Sequence, residues 1–259
     1  MEQKIKRLIE VNAQFALQSQ QIKELLSRIS FLEQELSLWR TKANSRNHYS
    51  HDFIYNFRDV AMINKKFQPN KIFRSSTLTR YQNESFFTDI IQQLGINKIV
   101  DLRDRDEYDK DPYINNSIKL FEHLHLSFDS INKYLARNQE INCKPDFQSA
   151  YRYYALGNRK IFKAMFEQIN PEKDVFLIHC KAGKDRTGCV VALLGLLVGE
   201  SIENINRDYL ESEMDTEIEK LNAFLEVVQE KGNVENFLSD CGISQNCINH
   251  WKKHLTNEN

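Results

Sequence analysis

The sequence predicts an α/β fold, a mainly parallel sheet flanked by helices, preceded by an N-terminal coiled-coil helix. Three observations carry this expectation. Short apolar stretches of strand length at 71–75, 98–102, 123–128 and 175–178 alternate with longer segments of helical period. Eight Gly and four Pro among 259 residues are too few for a loop-rich all-β chain. Residues 1 to 42 contain no Pro or Gly, and their apolar residues recur at alternating spacings of three and four.

In heptad notation the first segment has Met1, Leu8, Phe15, Ile22, Ile29 and Leu36 at a. Lys4, Val11, Gln18, Leu25, Leu32 and Trp39 occupy d, and all but Lys4 and Gln18 of the two series are apolar. So narrow a stripe calls for a partner, because a lone amphipathic helix is marginal in water. Ile at a with Leu at d, in the layers Ile22/Leu25 and Ile29/Leu32, favours two parallel strands. In that register Arg28 meets Glu33 and Glu35 meets Arg40, both attractive pairs. A parallel homodimer with a rod roughly 60 Å long is therefore expected, from a rise of ~1.5 Å per residue. Apolar Leu26 at e keeps open a trimer, or a helix packed back on the domain. The polar run 42–47 breaks the heptads, so the expected division is 1–44 for the coiled coil and 45–259 for the second domain.

In that domain, 71–75 and 98–102 read as strands bounded by polar or turn residues. Between them 84–94 carries Phe86, Phe87, Ile90, Ile91 and Leu94 at helical spacing and ends at Gly95, a natural C-cap. Residues 123–128 alternate like a strand, and 151–169 reads as one helix stopped by Asn170-Pro171. The continuous apolar run 175–178 suits a strand buried on both faces. Residues 187–198 are apolar almost all round, the mark of a buried helix, and 202–210, 216–230, 234–237 and 247–255 form a helical tail.

The loop between that buried strand and that buried helix is the candidate site: His179-Cys180-Lys181-Ala182-Gly183-Lys184-Asp185-Arg186-Thr187-Gly188. A loop running into a helix N-terminus aims backbone N–H groups at an anion, and the helix dipole adds positive potential. The same potential favours thiolate over thiol at Cys180, the expected nucleophile. Arg186 offers a planar fork that grips two oxygens of a phosphoryl group, which Lys does not reproduce. Lys181, Ala182, Gly183, Lys184 and Thr187 would line the bound group, Gly183 and Gly188 permitting the tight curl. Thr187 would also donate its hydroxyl to the Cys180 sulfur when that sulfur leaves. A nucleotide P-loop is excluded, since its pattern would need Gly at Leu177 and Ser or Thr at Asp185.

The stretch resembles the signature of the protein-tyrosine phosphatase superfamily, His-Cys-x-x-Gly-x-x-Arg-Ser/Thr. Its Ala-Gly-Lys-Asp-Arg-Thr-Gly form is similar to the bacterial tyrosine-phosphatase branch that also acts on phosphoinositides. Asn56-Phe57-Arg58-Asp59, Phe73-Arg74-Ser75-Ser76 with Leu78, and Val100-Asp101-Leu102-Arg103 with Glu107 fit the same branch. The resemblance spans about 52–210 and leaves the coiled coil uncovered. It implies a two-step reaction through a cysteinyl phosphate, with no metal and no cofactor. It also makes Asp185 the first candidate for the general acid, with Asp129 and Asp146 as the others, and suggests that Arg58, Asp59 and Arg103 brace the loop. Apart from these, the charged run 101–107 reads as solvated surface. His179 reads as an orienting residue, His123 and His125 as strand residues, and Cys189 as packing.

The totals restrict the partners. A net charge of −1 argues against nucleic-acid binding. Five Cys without paired short spacing indicate neither a disulfide framework nor a zinc site, which suits a reducing, cytoplasmic setting. No apolar leader follows Met1, and the longest apolar stretch, 190–198, is far short of the ~20 residues of a membrane helix. The leading expectation is a phosphatase of phosphotyrosine or of several phosphorylated side chains. A phosphoinositide or inositol-phosphate phosphatase is the alternative that Lys181 and Lys184 favour. A non-catalytic phosphate-binding scaffold working through the coiled coil is a third reading.

Overall fold

Strands β1 (Arg58–Asp59), β2 (Ile72–Ser75), β3 (Lys98–Asp101), β4 (Glu122–His125) and β5 (Phe176–His179) form a sheet in the order β1-β2-β5-β3-β4. They belong to a computed structural model that describes residues 54–82, 85–114, 119–139, 146–212 and 216–257. It also describes positions 7, 18, 20–23, 25–26 and 28–29 of the N-terminal segment. The chain divides into two compact units, Met1–His48 and Tyr49–Asn259. In the first unit the described residues are helical and exposed, Ile22, Leu25, Leu26 and Ile29 among them. The rest of the heptad series and the 42–47 break lie outside the described residues.

In the second unit β1 pairs antiparallel with β2 at the edge, and the remaining pairings are parallel. β2, β3 and β5 are buried along their whole length, as strands covered by helices on both faces must be. The register aligns Ser75, His179 and Asp101 in one row, so the C-terminal ends of β2, β5 and β3 finish together. Connections leave β5 flanked by β2 on one side and β3 on the other. In open α/β sheets the crevice beyond such strand ends is where ligands bind.

The helices are α1 (Ser85–Gln93), α2 (Arg105–Lys110), α3 (Ile131–Gln139), α4 (Phe147–Gly157), α5 (Arg159–Gln168) and α6 (Asp185–Leu197). The tail supplies α7 (Ile202–Leu210), α8 (Ile218–Gln229), α9 (Val234–Asp240) and α10 (Gln245–Leu255). α6 is buried from Arg186 through Gly195, as its all-round apolar sequence requires. Ser201, Asn233 and Ser244 cap α7, α9 and α10 with side-chain oxygens. Trp251 fixes α10: its ring stacks on Phe166 at 4.3 Å and its indole N–H donates to the Phe166 carbonyl at 3.0 Å.

Four details differ from the sequence reading. The segment 151–169 is two helices, α4 and α5, parted at Asn158, whose side chain turns back to donate to the Tyr154 carbonyl at 3.3 Å. The strand expected over 123–128 ends at His125, although the Leu126 amide still donates to the Asp101 carbonyl. β1 and α3 were not foreseen. The charged run 101–107 is exposed only at Arg105 and Asp106: Asp101, Arg103 and Asp104 are buried, and the run opens α2 through a capping box between Asp104 and Glu107.

Candidate active site

β5 ends at His179 and the chain turns through 180–184 into α6, leaving Cys180 buried just past the C-terminal end of the central strand. The backbone of this loop is held from behind. The Lys181 carbonyl accepts from the Thr77 amide at 3.1 Å, the Ala182 carbonyl from Asn56 Nδ2 at 2.8 Å, and the Gly183 carbonyl from Arg74 Nη2 at 2.7 Å. Across a trans peptide plane the C=O and the following N–H point in opposite directions. Three consecutive carbonyls tied outward therefore turn the amides of Ala182, Gly183 and Lys184 toward the concave side, where the first turn of α6 also opens. Gly183 permits the curl: its φ is +72°, and a Cβ there would lie 2.3 Å from the Ser75 carbonyl. At Gly188 a Cβ would lie 2.7 Å from the Tyr209 ring, which packs directly on α6.

The brace has its own support. Asp208, buried on α7, receives Arg58 Nε at 3.0 Å on one oxygen and Arg74 Nη1 on the other. Arg58 and Arg74 also donate to Ser212 Oγ, at 3.2 and 3.1 Å. Burial works against charge in this cluster. It pushes Arg74 down to about 10 with help from the nearby Arg58, while Asp208 opposes the shift. Burial also works against the Asp208 carboxylate, but Arg58 and Arg74 outweigh it and hold its pKa below the usual range. Arg58 thus braces the loop through Asp208. Asp59 does not reach the loop; it caps the turn at Val60–Met62 and accepts from the Asn70 amide at 2.7 Å.

Arg186 lies at the start of α6 with its guanidinium held by Glu107 of α2, at 2.5 Å from Nη1 to Oε2 and 3.0 Å from Nη2 to Oε1. Nη1 also donates to the carbonyls of Leu102 and Phe128. Burial alone would weaken this charge, but the Cys180 sulfur and Glu107 keep its pKa above the ordinary value.

Behind Cys180, His179 is fully buried. Its Nδ1 lies 3.0 Å from the Cys180 carbonyl, which only accepts, so Nδ1 carries the proton and Nε2 accepts from the Tyr113 hydroxyl at 2.9 Å. Burial lowers its pKa, which suits this neutral form. Asp101 pairs with Arg103 through both carboxylate oxygens and meets His123 Nε2 at 3.3 Å. Burial disfavours the Asp101 anion, but His179, His123 and Arg103 hold its pKa far below the usual range. Arg103 touches this network and not the loop itself. His123 and His125 are strand residues, with Tyr108 stacked on both.

The acid candidates have separate surroundings. Asp185 is the first residue of α6 and accepts from the Tyr151 hydroxyl, which Tyr209 reaches at 2.8 Å; Lys184 Nζ is 3.7 Å away. Burial, reinforced by Asp185, raises the Tyr151 pKa and keeps it a donor. Asp129 accepts from the Tyr153 hydroxyl at 3.0 Å. Asp146 is exposed and caps α4, accepting from the Ser149 amide at 2.6 Å. Thr187 Oγ1 is buried without a hydrogen-bond partner among the described residues. Lys181 is exposed and Ala182 half-buried. Cys189 is fully buried, which raises its thiol pKa well above normal, and it packs in the core.

Arg74, Asn56 and Asp208 were not read as site residues from sequence. Arg74 and Asn56 lie in segments noted for their resemblance to the phosphatases, so a signal was present for both; for Asp208 there was none. Among the described residues the cluster of His and carboxylate groups able to hold a metal is Glu172, His250 and His254. Glu172 precedes β5, at the opposite end of the strand from Cys180.

The arrangement is a buried thiol at the base of a loop whose amides turn to the concave side, with Arg186 at the entry of the helix that follows. A tyrosine-protein phosphatase from Nostoc commune is 30% identical over 132 residues, covering 48% of this chain and 45% of that protein, so the match spans less than half of the relative. The triple specificity protein phosphatase PtpB of Mycobacterium tuberculosis is 28% identical over 214 residues, covering 70% of this chain and 74% of that one. Among solved structures, the core catalytic domain of the PP-IP phosphatase SIW14 from S. cerevisiae, in complex with citrate, is 19% identical with a TM-score of 0.42, covering 71% of this chain and 97% of that one. The profile of the tyrosine phosphatase family matches residues 49–223, a stretch that holds β1 to β5, the Cys180 loop and the Arg74–Asp208 brace behind it, and the chain belongs to that family.

Proposed function

We propose that this protein hydrolyses phosphate monoesters of proteins, phosphotyrosine first among them, through a phosphocysteine at Cys180. The observation that carries the reading is the set of three loop carbonyls tied outward, which leaves an amide-lined cradle over the Cys180 thiol. Cys180 Sγ forms a bond to phosphorus as the ester P–O bond breaks, and Asp185 gives its proton to the leaving oxygen. Water then attacks phosphorus, Asp185 takes the proton back, and Cys180 leaves as thiolate with inorganic phosphate as product. The buried Thr187 hydroxyl supports its role as donor to that departing sulfur. On Arg186, Glu107 and the two carbonyls leave Nε and one Nη2 hydrogen for two phosphoryl oxygens. Lys181, Ala182, Gly183 and Lys184 line the same cradle. The description of PtpB as a triple specificity protein phosphatase supports a substrate range beyond phosphotyrosine.

A phosphoinositide or inositol-phosphate substrate is the second reading. Lys181, exposed on the loop, supports it, because an extra cation suits a multiply phosphorylated headgroup. The domains 1–44 and 45–259 would divide the work, the first dimerising the enzyme as a coiled coil. The exposed apolar side chains of Ile22, Leu25, Leu26 and Ile29 support that role. A reducing, cytoplasmic setting suits a thiol that must stay free. No helix among the described residues is long and apolar enough to cross a membrane.

Phosphate release in chelator and reductant tests the proposal, using phosphotyrosine peptide, phosphothreonine peptide and phosphoinositides with wild type and Cys180→Ser. Turnover of the tyrosine peptide that vanishes in the variant is expected. Faster turnover of the lipid selects the second reading, and no turnover on any substrate moves the assignment to a phosphate-binding scaffold.

A further inference from the structure

We propose a binding site for a divalent transition cation of the Zn2+ class, built from His250 and His254 of α10 and Glu172 of the turn before β5. The three side chains bring one ligand atom each, two ring nitrogens and a carboxylate oxygen, to within 4.8 Å of one another. Residues four apart share a face of a helix, so His250 and His254 stand one turn above the other, with ring centroids 4.6 Å apart and planes at 57°. The rings are tilted and not stacked, and one nitrogen of each lies within 4.8 Å of the other and of a Glu172 oxygen. Glu172 approaches from a different element, and it completes three ligands and leaves a fourth tetrahedral position for water.

Both sides of the site are held by contacts that owe nothing to a metal. α10 is anchored by buried Ile248, Trp251 and Leu255. The turn is closed by Asp174 Oδ2 accepting from the Asn170 amide at 2.8 Å and by Asn170 Oδ1 accepting from the Glu172 amide at 3.1 Å. Asn170 Oδ1 also lies 3.3 Å from His250 Nε2 and restrains that ring, as an outer-shell amide does in metal sites. Lys252, two residues from each histidine on α10, is drawn to Glu235 at 2.6 Å. Lys71 Nζ donates to the Glu172 carbonyl at 3.2 Å, not to its carboxylate. Two imidazoles with one carboxylate suit Zn2+, Co2+ or Ni2+, and they do not suit Mg2+ or Ca2+, which prefer oxygen ligands. A bound ion would tie the tail helix α10 to the turn that leads into β5, at the end of the strand remote from Cys180.

The test uses untagged full-length Cys180→Ser protein, so that the loop thiol does not compete for metal. Titration calorimetry with Zn2+ and visible absorption with Co2+ are compared with the same protein carrying His254→Asn, His250→Asn or Glu172→Gln. Expected are one equivalent of Zn2+, Co2+ bands of low-symmetry coordination, and a Tm that rises with Zn2+ concentration. Each His→Asn change is expected to weaken binding by more than the ~10–100-fold typical of losing an outer-shell partner. These residues are at the surface, and an unchanged metal-free Tm shows that each variant folds. Absence of Zn2+ binding, or binding equal in all variants, overturns the site; a metal-free Tm lowered in one variant leaves the other two to decide.

Discussion

Arg74 and Gly183, 109 residues apart, are joined by a single hydrogen bond from Nη2 to the Gly183 carbonyl at 2.7 Å. It turns the peptide that ends in the Lys184 amide, and it ties the shape of the loop to the buried charge cluster of Arg58, Arg74 and Asp208. Loop geometry and domain stability are therefore parts of one structure.

Replacing Arg74 separates the two effects. Arg74→Met leaves Asp208 buried with Arg58 alone and is expected to cost about 3 kcal/mol, the low end for breaking a buried ion pair. Arg74→Lys keeps a charge beside Asp208 but not the fork that also reaches Gly183, so turnover should fall more than stability. Urea unfolding and phosphate-release kinetics on both variants check this.

Gly183→Ala should be worse than its size suggests. The positive φ adds about 1–3 kcal/mol of strain for a side chain, and the new Cβ overlaps the Ser75 carbonyl. A lowered Tm and a loss of phosphate release are expected together. A variant that keeps both would show that the loop tolerates a different backbone.

Stability should fall in acid because of Asp101 and His179. Both have pKa values lowered on folding, so the unfolded chain binds more protons and stability rises with pH. His179 contributes from its unfolded value of about 6.5 downward and Asp101 from about 3.9 downward, so the loss begins near pH 7 and continues below pH 3. Asp101→Asn should be less stable at pH 7 and show a flatter decline below pH 5. Unfolding measured across that range in both proteins is the check.

Asp185 and Tyr151 should act as a pair. Asp185→Asn is expected to lower turnover of a phosphotyrosine peptide by ~10²–10⁴, the usual range for a general acid. Aryl esters with acidic leaving groups should suffer less. Tyr151→Phe removes one donor to that carboxylate, and a loss of about tenfold is expected from a hydrogen bond to a charged group. Equal losses from Asp129→Asn would move the acid to Asp129.

Much of this architecture was legible because it is local. The continuous apolar run that became β5 and the all-round apolar α6 announce burial by composition alone, and β2 and β3 show as short segments bounded by polar or turn residues. The Cys180 loop shows its spacing directly. What was missed depends on tertiary contact. Asp101 and Asp104 looked like surface charges because nothing in their order tells which partners they would meet inside the domain. Asp208 sits in a polar helix segment, and only the approach of β1 and β2 gives its carboxylate a purpose. The two-residue β1 carries too little pattern to be read. The 151–169 helix was read across Asn158 because its apolar spacing continues on both sides.

Trapping a phosphocysteine decides whether Cys180 carries the phosphoryl group during turnover. Wild-type protein is mixed with a phosphotyrosine peptide, quenched in acid within the first turnover, digested and analysed by mass spectrometry. One phosphoryl group on the peptide containing Cys180, absent from Cys180→Ser, which releases no phosphate, is the predicted result. Continued phosphate release by Cys180→Ser, with no phosphoryl group on Cys180 in the wild type, would contradict it.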